Sequence, residues 1–241
     1  MKRILQLGYV LALGFSTLLV SCSASKINSL VSKTSKVLGG CGSVDQTLEQ
    51  ANLAINNFQG ATKAVNASRD LLFDIAAASE KKEQLRAKEA ELEQTQSEQD
   101  KERITIEIAE EKDKTIQEAH RNGEFQKLKL AGEQINHVGR IIWNTRLAIK
   151  LDQKVIKTAP AIITSGKAAI DQSLKNPACA PNVAKLTTAI VNHIPHIAAE
   201  APRQVGTLTE FLAATMELAN SNGVPDPGDP GDNMKIEDLQ F

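Results

Sequence analysis

Apolar residues in this chain recur every three or four positions over long stretches, the period of helices packed lengthwise against one another. The first stripe runs through Val44, Leu48, Ala51, Ile55, Phe58, Val65, Leu72 and Ala76, with the polar Thr62 and Arg69 as its two interruptions. Ser43 followed by Gln46 is a capping-box signature that opens this run. A second stripe passes through Leu128, Ala131, Ile135, Val138, Ile142, Ile149 and Ile156. Both follow the 3.5-residue average of a coiled-coil seam.

Between the two stripes the character of the chain changes. Residues 80–124 hold nine basic and fourteen acidic side chains, with an apolar line at Leu85, Leu92, Ile104, Ile108 and Ile116. Pairs such as Asp100/Arg103 and Glu110/Lys114 have helical spacing and add a few tenths of a kcal/mol each. Neither Gly nor Pro occurs between Ala61 and Asn122, so the line predicts helix rather than disorder. Asn122-Gly123 is the first strong stop. Folding the chain back there sets Ile104 opposite Ile142, Ile108 opposite Val138 and Ile116 opposite Leu130. The pattern thus predicts a long antiparallel, coiled-coil-like helical hairpin over 79–158, with arms about 57 Å long at 1.5 Å per residue.

Shorter helices are predicted after it. One spans 160–174 and stops at Asn176-Pro177. Another, capped by Asn182 and kinked by Pro195, carries Val183, Leu186, Ile190, Ile194 and Ile197. The last, over 202–220, carries Val205, Leu208, Leu212 and Met216. Residues 43–78 and 159–220 are expected to form one helical bundle, since these faces have only each other to bury against. The fold class is all-α. Residues 221–241 include PDPGDPGDN and read as a disordered acidic tail.

The amino terminus follows another logic. Lys2 and Arg3 precede an apolar run from Ile4 to Val20, and Leu19-Val20-Ser21-Cys22 closes it. Charged start, apolar middle and small residue before the cut make a secretory leader. An uncleaved membrane helix is the competing reading, since the run is only just long enough to span a bilayer. The cysteine at the cut resembles the lipobox of bacterial lipoproteins, a resemblance confined to the leader. It implies removal of 1–21, attachment of lipid to the sulfur of Cys22, and acylation of the new amine. Several acyl chains hold a protein durably where one does not. Ser23, rather than an Asp, follows the cysteine. By the same resemblance the destination is the outer membrane, on the periplasmic side of the cell envelope. Residues 22–42 carry Lys26, Lys33 and Lys36 and no acid, and predict a Ser/Lys tether. Ile27, Leu30, Val31 and Leu38 leave a short surface helix as an alternative there.

Loss of Lys2 and Arg3 with the leader moves the formal net charge from −1 to −3, which is no footprint for nucleic acid. Aromatic residues make up 3% of the chain, which argues against a β-sandwich or an aromatic-lined sugar cleft. Cys41 and Cys179 are left as a pair that an oxidising compartment would bond. Geometry objects if one helix runs from Cys41 to Gly123, because the return to Cys179 is shorter. A bridge needs Cα atoms within about 7 Å. A break at Asn56–Gly60 would reconcile the two, so the bridge stays open at this point.

Chemistry is sparse. His193 and His196 lie three apart with no third ligand in view, and His120 and His137 fall elsewhere. No metal, cofactor or catalytic constellation is expected. The expected role is a lipid-anchored, non-catalytic spacer or interaction scaffold, meeting a protein partner or its own copies through the hairpin. The alternative is a hairpin adaptor of an envelope transport or pore-forming system. Trp143, in an apolar stretch with Ile141, Ile142 and Ile149, is the candidate partner contact, set against a buried core tryptophan.

Overall fold

A computed structural model describes residues 41–174, 176–231 and 234–240, so the expectations for the leader, Cys22 and the tether before Cys41 lie outside the described residues. Every regular element among them is helical. The chain forms α1 (Gly42–Ala76), α2 (Ser79–Gln94), α3 (Glu98–Arg121), α4 (Gly132–Ser173), α5 (Ala180–Thr188) and α6 (Ile194–Ser221). A π-turn at Ala189–His193 joins α5 to α6, and short 3-10 turns occupy Pro177–Cys179 and Ile236–Asp238. The described residues divide into two compact units, 69–129 and 41–68 with 130–240.

In the smaller unit α2 and α3 lie side by side in opposite directions. Lys81 pairs with Glu111, and Lys88 with Glu107 at 3.3 Å, which fixes the antiparallel register. Leu85, Ile104, Ile108, Ile116 and Ala119 are buried, with Leu72 and Phe73 from the end of α1 and Phe125 from the segment after α3. Arg69 grips Asp113 through two nitrogens at 2.6 and 3.1 Å, and both side chains are largely buried. Lys112 reaches Asp70 at 2.9 Å and Glu89 at 3.2 Å, with its ammonium 5.8 Å from the Phe73 ring centre. The expected single arm over 79–121 is therefore two helices. Thr95 to Ser97 break it without Gly or Pro, because Ser97 accepts the Asp100 N–H at 3.3 Å and caps a new start. α3 ends where Asn122-Gly123 predicted, with Gly123 at φ 63° and the Glu124 N–H returning to the Ala119 carbonyl at 2.9 Å.

The larger unit is built on three long helices. Ser68 and Thr145 share a buried hydrogen bond of 3.0 Å near one end. At the other end Thr47 and Ile190 close on Gly166. α4 thus runs antiparallel to α1, and also to α6, whose end supplies the Asn222 side chain to the Leu130 N–H at 2.9 Å. Along α4 the buried seam is Val138, Ile141, Thr145, Ala148, Asp152, Val155, Ala159, Ile162, Gly166, Ala169 and Ser173, alternating steps of three and four. The matching seam on α6 is Ile194, Ile197, Ala201, Leu208, Phe211, Thr215 and Leu218, with half-buried Gln204 in the gap.

Four candidate chain breaks do not occur as the sequence suggests. α1 passes through Asn56–Gly60 unbroken. α4 continues through Pro160, and α6 through Pro202, as single helices. Both prolines face solvent, where the carbonyl that loses its partner can be hydrated. Pro195 does not kink a single helix either. The π-turn precedes it, with the Ile194 N–H bonded to the Ala189 carbonyl, and a new helix starts there. Asn182 is no cap; its amide donates to Asp45 at 2.8 Å.

Cys41 and Cys179 are disulfide-bonded, with Cα atoms 5.6 Å apart. The bond coexists with an unbroken α1 because the chain turns at 77–78, 95–97 and 122–131 rather than once at its far end.

Candidate functional site

Among the described residues, the strongest constellation of polar groups is on the outer side of α4, where residues 224–231 and 234–240 lie across it as a strap. This segment was expected to be disordered. It is held because its acids and carbonyls meet donors spaced one helical turn apart. Arg146, Lys150 and Lys154 fall at intervals of four, so they project from one face. Arg146 forms a two-pronged pair with Asp226, 2.9 Å at one prong, and also donates to the Gly228 carbonyl at 2.7 Å. Lys150 reaches Asp229 at 2.8 Å and the Pro230 carbonyl, and Lys154 reaches the Met234 carbonyl at 3.3 Å.

The far end of the strap is read through its backbone. Trp143 Nε1 donates to the Asp238 carbonyl at 3.3 Å. The Asn144 carboxamide donates to the Gln240 carbonyl at 2.6 Å and accepts the Gln240 N–H at 2.7 Å. Such a paired contact satisfies both polar groups of one residue of extended chain. Between these points Ile236 packs onto Gly60 of α1. A Cβ at Gly60 would fall 2.6 Å from two Ile236 carbons, so only glycine leaves room for this knob. At its root the strap leaves α6 through Gly223 at φ 66°, and Val224 is buried beside Gly139.

Electrostatics agree with the geometry. The Arg146 guanidinium, helped by the Gly228 N–H, pulls the Asp226 carboxyl down to about 2. The salt bridges have one exposed partner each and add little stability alone. Their value is in register and in recognition of negative charge.

On its inner side the same stretch of α4 carries Asp152, fully buried in the seam. Hydrogen bonding orients the Gln204 amide nitrogen toward Asp152, at 3.2 and 3.0 Å from the two carboxyl oxygens. Its oxygen then accepts from Thr62 Oγ1 at 2.9 Å and Thr62 N at 3.1 Å. One polar side chain from each long helix therefore meets in a single core layer. Burial pushes the Asp152 carboxyl up to about 8. Asp152 is the buried end of the layer, Thr62 and Gln204 are half-buried, and the three pair no nucleophile with a base.

Trp143 is half-buried beneath the strap, neither a core tryptophan nor an open contact. His193 ends the π-turn and His196 lies in the first turn of α6. Among the described residues no cluster of three or more His, Cys, Asp or Glu side chains is arranged to hold a metal ion. No described helix is long and apolar enough to cross a membrane. No family model matches the chain, and neither a curated protein nor a solved structure matches it. Sequence reasoning missed Asn144, Arg146, Lys150 and Lys154. The available signal was a basic ladder on α4 together with an acidic segment eighty residues later.

Proposed function

We propose that this chain is exported, processed at Cys22 and held by acyl chains on the periplasmic side of the outer membrane. There its helical body serves as a non-catalytic spacer and protein-interaction scaffold. In this reading the docking surface is the antiparallel pair α2–α3, in place of the expected hairpin over 79–158, because its flanks are charged. The observation that carries the proposal is the Cys41–Cys179 disulfide. Such bonds persist in oxidising compartments and are rare in the cytosol, which agrees with the secretory leader and lipobox at Leu19–Cys22.

The test is mass spectrometry of the processed amino terminus from cells, alongside a Cys22→Ala variant. Diacylglycerol on Cys22, and loss of membrane attachment in the variant, are the expected results. An unmodified Cys22 in a membrane-bound protein would overturn the anchor.

A further inference from the structure

The contacts under the strap have an unusual balance. Carbonyl groups of Gly228, Pro230, Met234, Asp238 and Gln240 are all met by side-chain donors of α4. Asp226 and Asp229, three residues apart, bring carboxylates to it, and Ile236 contributes the apolar knob. A surface that reads mainly backbone tolerates many sequences, as in other modes of extended-peptide capture. What it selects is extension, negative charge at one end and freedom from bulk where the chain crosses Gly60.

We infer that the outer face of α4 from Trp143 to Lys154 is a binding groove for an extended acidic peptide of a partner protein. The strap occupies it in cis and competes with that partner. The assignment rests on the interaction-scaffold reading and names the partner's chemistry; it does not depend on the lipid anchor. Charge complementarity decides the occupant. Three cations one turn apart line the face beneath the strap, and the strap's own acids are exposed residues that contribute no core packing. The cis segment holds a strong advantage, because a short tether gives an effective concentration of order millimolar. A partner peptide therefore needs either higher affinity or a loosened strap, which makes occupancy conditional.

The test uses the full chain in detergent and two fluorescent probe peptides, read by anisotropy. One probe copies residues 224–240; the other sets two aspartates three apart in an Ala/Pro/Gly background. The strap is loosened in two independent ways, by Asp226→Lys with Asp229→Lys and by Ile236→Asp, with circular dichroism confirming that helicity is kept. Asp226 and Asp229 are exposed, so their replacement leaves the core intact. Both loosened forms should bind both probes at least tenfold more tightly than the parent. Binding should weaken with salt and be lost when Arg146→Glu and Lys150→Glu are added. Equal binding by parent and loosened forms would overturn the inference, as would saturation by neither probe. Binding of the self-copy probe alone, with dimers in sedimentation, would assign the groove to a second copy and overturn the partner. None of these results touches acylation at Cys22, so the two readings fail separately.

Discussion

Asp152→Asn is the most revealing single change. The carboxyl is 0% exposed, in the layer with Thr62 and Gln204, and its pKa stands near 8 against an ordinary value of 3.8. Burial drives the rise; the Gln204 N–H contacts favour the ionised form and work against it. Between those two values the folded chain keeps a proton that the unfolded chain has released. Stability therefore falls as pH rises through this window, by about 1.4 kcal/mol per pH unit. Below it both states are protonated and the contribution is flat; above it the loss is complete. Asparagine has the same shape, still accepts from Gln204 and does not ionise. Its extra N–H costs about 1 kcal/mol or so, but equally at every pH. The difference between variant and parent should thus grow with pH, by at most about 4 kcal/mol near neutrality relative to pH about 4, since the Gln204 contacts hold the carboxyl below the level that burial alone sets. Urea denaturation followed by circular dichroism at a series of pH values measures it, with an unchanged slope in denaturant confirming the same transition. A difference that stays constant with pH would refute the argument and place the carboxylate, ionised, in contact with water.

Two further substitutions probe the larger unit. Cys179→Ser should lower stability by about 4 kcal/mol in oxidised protein, because the bond closes a very long loop, and reductant should bring the parent to the same midpoint. Gly166→Ala puts a Cβ 2.8 Å from Ile190 Cγ2, a buried side chain with little room to move. It should cost about 1–3 kcal/mol, seen as a lower thermal midpoint.

The helical class and much of the apolar patterning were legible in the sequence, yet the seams were read slightly off. On α1 the stripe was drawn through Ile55, Phe58, Thr62 and Arg69, whereas the buried positions are Ala54, Asn57, Ala61 and Ser68. On α4 it was drawn through Ile149 and Ile156, while burial follows Thr145, Ala148, Asp152 and Val155. In each case the true seam passes through small or polar side chains. A reading that follows the bulkiest apolar residue slides one position to avoid them. Ile156 is 36% exposed as a result. The disulfide is not legible from Gly and Pro, because the breaks that admit it, at Ala77-Ala78 and Thr95–Ser97, contain neither. Ser97 with Asp100 was a readable cap signal. Composition alone made 221–241 look unstructured, since acid, Pro and Gly say nothing about a complementary ladder elsewhere in the chain. Trp143, the candidate partner contact, meets the chain's own carboxyl-terminal segment.

The Cys41–Cys179 bond also decides how tension travels. A pull on the residues before Cys41 meets the bond at once and crosses covalently to Cys179, leaving 42–178 as a closed loop outside the load path. Mechanical strain applied between the two ends of the chain would run along the backbone of α5, α6 and the strap, and through the side-chain contacts that hold the strap on α4. Stretched in this way, the protein should shed its carboxyl-terminal segment before α1 to α4 lengthen at all.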